Sequence, residues 1–410
     1  MPQVSMSIFK GVQTAPADAV LGRIAAYRAD PDPRKINLTV GAYYDDMGKP
    51  HVFDVVRKAE AKVVGRQSSK SYLPIRGNPN LVKPTQELMF GADHPALERL
   101  VTLQTLSGTG AVRVALDFLR SFLGDQACRK RGVWTSDPTW PNHNGIAVTA
   151  GFDLKHYRYL TTSMTFDYDG MVKDLESAQP GDIVILHACA HNPTGVDPTE
   201  SQWKELVAVL NRKGLIPLVD SAYQGFASGD LDRDAYSIRL VASECPDAIF
   251  CQSFAKNMGL YGERMGMLHV LVGDKTAMSA VGSQLDIIVR RMYSSPPCNP
   301  AFLTEMVLTD PDLREAWRTE LSSVADRILS MRATLRRLIE EFGAPGSWNH
   351  LTDQIGMFSY TGLSPEEVAL LLADHKIYTV GSRISMAGLN TGNVEYVARA
   401  IATVTQQTRV

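Results

Sequence analysis

The chain is expected to fold as an α/β protein, with a mostly parallel sheet covered by helices on both faces and an α+β tail. Three observations predict this. Over residues 100–272, short apolar runs alternate with helical stretches. The apolar runs are continuous, as in strands buried on both faces. Polar or glycine-rich sequence follows five of the strands, which is where open α/β sheets bind ligands.

The elements follow in chain order. Residues 1–15 are mixed and read as an arm outside the core. Residues 19–27 carry Val20, Leu21, Ile24 and Tyr27 at helical spacing, with Asp18 in N-cap position, and stop before Asp30-Pro31-Asp32-Pro33. Residues 36–43 read as a short strand leading into a turn. A strand over 101–106 runs into Ser107-Gly108-Thr109-Gly110-Ala111, and a helix over 112–123 follows. Val133-Trp134 leads to Asp137-Pro138-Thr139-Trp140, and the strand over 183–186 leads to His187 and His191-Asn192-Pro193-Thr194-Gly195. Thr199 and Gln202 form a capping box for a helix over 202–212 that stops at Gly214. The strand over 215–219 ends at Asp220, and the runs over 248–251 and 265–272 bracket Lys256. Residues 311–342 are strongly helical, with Leu313, Trp317, Leu321, Val324, Ile328, Leu335 and Ile339 on one face, long enough to bridge two domains. The tail reads as a strand over 356–360, a capping box at Ser364-Pro365-Glu366-Glu367, strands over 377–380 and 383–386, and a last helix over 393–405.

Composition narrows the function classes. The 410 residues are 44% hydrophobic and 21% charged, an ordinary globular balance for one large domain or two. A formal net charge of -2 gives no bulk case for nucleic acid or a membrane surface. Five scattered cysteines without a C-x-x-C read as reduced thiols, so an intracellular, cytoplasmic protein is expected. The first fifteen residues hold one lysine and no arginine, so no transit peptide is expected.

The chemistry centres on Lys256, held between two apolar strands with Arg264 beyond. Desolvation lowers the pKa of such an amine and makes it a nucleophile or base, whereas a solvated loop lysine does neither. Ser107-Gly108-Thr109-Gly110, between a strand and a helix, suits a phosphate or a plain tight turn. Asp220 ends an apolar run and needs a cationic partner, either a protonated ring nitrogen or a structural arginine; Tyr223 lies one turn on. His187 and His191 are spaced i, i+4, but no third zinc ligand announces itself, and no metal is expected. Ser253-Phe254-Ala255-Lys256 matches S-x-x-K, yet the partner motifs of penicillin-recognising enzymes are missing. Arg290-Arg291 and Arg383 sit beside apolar sequence, where a guanidinium clamps carboxylates, and Trp140 offers a plate for a planar group. Phosphate cup, aromatic plate, acid, hydroxyl, amine and carboxylate clamps together fit pyridoxal phosphate with an amino acid substrate.

These residues lie in motifs that resemble the aspartate aminotransferase family of class I pyridoxal-phosphate aminotransferases, including the branch that also takes aromatic amino acids. The motifs include Asn37-Leu38-x-Val40-Gly41-Ala42-Tyr43, Tyr72-Leu73-Pro74-Ile75, Asp137-Pro138-Thr139-Trp140-Pro141-Asn142-His143, Asp220-x-Ala222-Tyr223-Gln224-Gly225-Phe226, Tyr261-Gly262-Glu263-Arg264-x-Gly266 and Tyr293-Ser294-x-Pro296-Pro297. The similarity runs from about Phe9 to Val404. It implies fold type I of the pyridoxal-phosphate enzymes: a large domain (51–323) around a mostly parallel seven-stranded sheet, a small α+β domain from both chain ends (16–50 and 324–410), and an arm (1–15) lying on a partner in a homodimer.

The resemblance also implies roles. Lys256 would carry the cofactor as a Schiff base, and Asp220 would pair with its ring nitrogen, supported by His143 and His187. Tyr223 and Asn192 would bond the ring oxygen, and Trp140 would stack on the ring. Ser107, Gly108, Thr109, Ser253 and Arg264 would hold the phosphate with Tyr72 of the neighbouring subunit. Arg383 would clamp the substrate α-carboxylate, Arg290 of the neighbour the distal one, and Gly41 would contact substrate through its backbone. The implied reaction moves the amino group of aspartate or glutamate to a 2-oxo acid such as 2-oxoglutarate with ping-pong kinetics. Tyr44 and Ser295 suggest the aromatic-accepting branch, and Pro50 directly after Lys49 departs from the family pattern at this pocket wall. A strict aspartate enzyme, or another reaction of the same cofactor such as β-elimination, is the alternative.

Overall fold

The computed structural model describes residues 7–16, 18, 20–39, 41–65, 70–124 and 130–409. Residues 1–6 of the expected arm, Ala19, Val40 and Cys128 lie outside these. The centre is a seven-stranded sheet: β1 (Leu100–Leu106), β2 (Gly132–Asp137), β3 (Asp153–Arg158), β4 (Ile183–His187), β5 (Ile216–Ser221), β6 (Ala248–Ser253) and β7 (Met265–Leu271). The spatial order is β1-β7-β6-β5-β4-β2-β3. Only β7 runs against its neighbours, pairing antiparallel with β1 and with β6. All other pairs are parallel. Strands β4, β6 and β7 are buried at every position, which is why they read as continuous apolar runs.

Reversal of β7 has a direct consequence. The chain leaves β6 at Ser253 and re-enters at Met265 on the same edge of the sheet, so the intervening loop carries Lys256 and Arg264 over that edge. The other strands present their carboxyl ends there too, where ligands bind in open sheets.

Local signals set the helix ends. Thr199 and Gln202 form the reciprocal capping box, the helix Glu200–Lys213 follows, and Gly214 closes it in the left-handed region at φ 63°. Ser364 and Glu367 cap Pro365–His375 in the same way. The helix Pro311–Glu341 is capped by Asp310, and its expected apolar face, from Leu313 to Ile339, is buried. The helix after β1 begins at Ser107 itself, five residues before the expected start.

Both chain ends join in one ribbon, with Ile36–Asn37 parallel to Ile377–Tyr378. A second ribbon pairs Phe358–Tyr360 with Arg383–Ser385, antiparallel. The strand expected over 36–43 therefore stops after two residues. The Asn37 side chain accepts from the Thr39 backbone N–H at 3.0 Å and from its hydroxyl at 2.6 Å, turning the chain off the ladder. No helix among the described residues is long and apolar enough to cross a membrane.

Candidate active site

The sheet edge defined by β1, β2, β4, β5 and β6 opens into a cavity of about 270 Å³. Of the expected site residues, Gly41, Ser107, Gly108, Thr109, Trp140 and His187 line it, as do Asn192, Asp220, Tyr223, Ser253, Lys256 and Arg264. These twelve span residues 41 to 264, and the fold brings them to one place.

One wall suits an anion. Ser107 sits at φ 65° and Arg264 at φ 58°, unusual for residues with side chains, and the Ser107 N–H donates to the Arg264 carbonyl at 3.0 Å. The helix Ser107–Leu123 starts there, with its first N–H groups free of intrahelical partners. The Ser107 and Ser253 hydroxyls are 3.3 Å apart. A Cβ on Gly108 would stand 3.0 Å from the Ser253 Cβ, so glycine keeps the backbone open beside Ser253.

The opposite wall carries charge in a dry place. Burial alone would raise the Asp220 carboxyl, but the His143 hydrogen bond and the charges of His143, His187 and Lys256 outweigh it and hold the pKa below the usual range. His143, fully buried, meets Asp220 through Nε2 at 2.9 Å. Its Nδ1 lies 3.1 Å from the Thr139 hydroxyl, which is also 3.3 Å from His187 Nε2. His187 Nδ1 accepts from the Asn192 N–H, fixing that tautomer. His191 is engaged elsewhere, with Ser136 and Thr194, and stacks on Tyr159 at 3.7 Å.

Lys256 faces the cavity, its amine 5.0 Å from the centre of the Tyr223 ring. Desolvation lowers its pKa to about 8 against the opposing pull of Asp220, with the Arg264 and Arg383 charges adding to the fall. Burial pushes the Tyr223 phenol well up, so it stays protonated, with Asn192 Nδ2 donating to its oxygen at 3.4 Å. Arg383 lies behind Asn192, 6% exposed; Nη1 donates to Asn192 Oδ1 at 3.3 Å and Nη2 to the Thr39 carbonyl at 2.7 Å. Among the described residues its Nε has no hydrogen-bond partner and no carboxylate offsets its charge. A buried guanidinium so placed has the chemistry to receive an anion.

Of the other expected residues, His143 and Arg383 stand behind the lining, and Tyr72 and Arg290 stay outside the cavity of their own chain. Tyr72 is 94% exposed. Arg290 is exposed near the end of the helix Met278–Met292 and donates to the Ser294 hydroxyl. Tyr44 is half-buried and does not line the cavity itself, but its phenol stands near Tyr261, which does, as well as near Tyr27 and Arg28. Tyr261 lines the cavity and its hydroxyl accepts from the Tyr43 N–H at 3.0 Å, a role its place in the Tyr261-Gly262-Glu263-Arg264 motif did not reveal.

Residues 33–401 match the family model described as aminotransferase class I and II. The mitochondrial aspartate aminotransferase of Schizosaccharomyces pombe is 44% identical over 402 residues, 97% of this chain and 91% of that protein. The aspartate aminotransferase from Saccharomyces cerevisiae cytoplasm superposes with a TM-score of 0.95 at 40% identity, covering 98% of this chain and 99% of that one. An aromatic-amino-acid aminotransferase from Burkholderia pseudomallei, covalently bound to pyridoxal phosphate, superposes with a TM-score of 0.94 at 39% identity, covering 98% and 100%.

Proposed function

Since the chain belongs to the class I and II aminotransferase family, we propose that it is a pyridoxal-phosphate enzyme moving the amino group of aspartate or glutamate to a 2-oxo acid. Aromatic amino acids are a second substrate class in this reading, supported by the aromatic-amino-acid enzyme among its structural neighbours. The observation that carries the proposal is the cavity itself: a desolvated lysine amine and a buried carboxylate face one space beside an anion cradle, with an unpaired guanidinium behind Asn192.

The residues fit the cofactor. Ser107, Gly108, Thr109, Ser253 and Arg264 would hold the phosphate, and Trp140 would lie against the ring. Asp220 would face the ring nitrogen, with His143 fixing the carboxylate through Nε2 and His187 in support through Thr139. Tyr223 and Asn192 would bond the ring oxygen. When bound, the cofactor supplies an aldehyde for the amino group and a ring that accepts electrons. The protein supplies the rest. Arg383 binds and orients the α-carboxylate. The Lys256 amine, facing the cavity, would take the proton from the substrate α-carbon. Tyr223 donates its hydroxyl proton as a hydrogen bond, and Gly41 closes the roof through its backbone. Release of one 2-oxo acid before the next binds makes the kinetics ping-pong.

The site is shared in a homodimer, in our reading. Tyr72 and Arg290 are exposed in the single chain, which suits residues reaching into a neighbour's cavity for the phosphate and the distal carboxylate. The arm residues Ile8, Phe9 and Val12 are exposed and apolar, as a segment lying on a partner would be. We divide the chain into an arm (1–15), a small domain (16–50 and 324–410) and a large one (51–323), in keeping with the ribbon that joins Ile36–Asn37 to Ile377–Tyr378. A cytoplasmic location is carried by the free cysteines Cys189, Cys245, Cys251 and Cys298, and cell fractionation tests it.

Substitution at Arg290 tests the substrate assignment. Arg290→Ala is expected to lower kcat/KM for aspartate roughly 10²-fold, the cost of stranding one desolvated carboxylate, and to change that for tyrosine less than about threefold. Equal losses for both substrates would contradict the role given to this arginine.

A further inference from the structure

We propose that Phe358 is the positioning residue of the carboxylate clamp, seating the Arg383 guanidinium on its ring and holding the Gly41 backbone at its edge. The proposal rests on the reading of Arg383 as the α-carboxylate receptor. Three contacts carry it. The Arg383 guanidinium carbon lies 4.0 Å from the centre of the Phe358 ring, the closest cation-to-ring approach among the described residues. A Cβ built on Gly41 would stand 2.9 Å from Phe358 Cζ, so loop and ring are already in contact. The Tyr223 ring meets the same phenylalanine edge-on at 6.2 Å.

The ring is held firmly. Phe358 is 3% exposed and its strand pairs with the strand of Arg383, Ser385 opposite Phe358. Its carbonyl accepts from Arg332, a fully buried arginine on the helix Pro311–Glu341. Arg332 also donates to Gly356 O at 2.8 Å and to Leu351 O at 2.9 Å. Among the described residues no carboxylate offsets its charge, and burial lowers its pKa to about 9. One buried cation thus ties three carbonyls of the segment that presents Phe358.

The physical consequence is specific. Among the described residues the Arg383 guanidinium has two hydrogen-bond partners, the Asn192 side chain and the Thr39 carbonyl, and its Nε is unbonded. Two contacts leave a guanidinium free to tilt, and a flat ring against one face removes that freedom. Because Gly41 meets the Cζ edge of the ring whose face carries Arg383, carboxylate binding and the position of the Gly41 backbone are linked through one side chain. Gly41 therefore has to lack a Cβ for a packing reason, whatever its backbone angles.

The test uses the holoenzyme and three variants. Phe358→Leu is expected to raise KM for aspartate and for tyrosine alike by about tenfold, and to weaken the non-reacting dicarboxylate succinate equally in calorimetric titration. The cofactor absorbance and its pH dependence stay unchanged, since Lys256 and Asp220 are untouched. Gly41→Ala alone gives a similar loss, and in combination with Phe358→Leu it costs little more, because the smaller side chain leaves room for the methyl. Gly41→Ala alters a loop rather than the core, so it carries the test if Phe358→Leu fails to fold. A folded Phe358→Leu protein with unchanged KM and succinate affinity, or fully additive losses, would overturn the proposal. Arg383→Leu is the control. If it too leaves succinate binding unchanged, the carboxylate reading of Arg383 falls, and the proposal with it; if it abolishes binding while Phe358→Leu does not, the proposal alone falls.

Discussion

Lys256→Ala is expected to lower turnover by at least ~10⁴-fold while the protein still takes up pyridoxal phosphate without a covalent bond. No other cavity group can replace the amine. Burial keeps Tyr223 protonated far above neutral pH. His187 has both ring nitrogens engaged, with Thr139 and the Asn192 N–H. Asp220 is committed to His143. The phosphate cradle is built from other residues, so affinity for the cofactor survives. The pKa adds a sign. Lowered from 10.5 to about 8, the amine is protonated and idle below pH 8 and neutral above it. The cofactor-free protein should therefore condense with an aldehyde at a rate that rises with pH and is half-maximal near 8 rather than near 10.5. Stopped-flow absorbance follows both measurements. Turnover unchanged in the alanine variant would refute the role of this lysine.

Asp220→Asn is expected to reduce kcat by ~10²–10³-fold with little effect on KM, the pattern of an interaction that matters at the transition state. The amide keeps the shape and loses the charge. The carboxylate is maintained below its usual pKa in a nearly dry site, so it is an anion at neutral pH. An asparagine cannot keep a ring nitrogen protonated, and the electrons released at the substrate α-carbon lose their acceptor. Removing the charge also leaves His143, fully buried, without its anionic partner. Thermal denaturation separates the effects: a fall in kcat with an unmoved Tm supports the electrostatic role. A variant within about threefold of wild-type kcat would contradict it.

The sequence exposed the sheet and the site to different depths. Strands β4 to β7 were legible because their residues, Ile216 at the start of β5 apart, are buried on both faces and leave a continuous apolar signal. Strand β3, Asp153-Leu154-Lys155-His156-Tyr157-Arg158, was not: it sits at the sheet edge, mostly open to solvent, and its polar residues carry no such signal. The capping boxes at Thr199 and Ser364 were readable because both partners lie within one turn. The cluster around Lys256 was legible because each strand delivers its polar residues immediately after its apolar run. Phe358 and Arg332 were invisible as functional residues. A phenylalanine in a strand and an arginine on a long helix have ordinary surroundings in sequence, and their roles arise from partners at Gly41, Leu351 and Arg383. Tyr261 acts through the Tyr43 backbone, a contact across 218 residues that no local pattern encodes.

Lys256, in this cavity, is proposed to pass amino groups between amino acids and 2-oxo acids. Its most direct test is the visible absorption spectrum of the purified protein reconstituted with pyridoxal phosphate, before and after L-aspartate, and separately L-tyrosine. The cofactor band is expected to bleach with each amino acid, the matching 2-oxo acid and aminated cofactor to form in equal amounts, and 2-oxoglutarate to restore the band. A band that neither amino acid changes, or bleaching without a 2-oxo acid product, would contradict it.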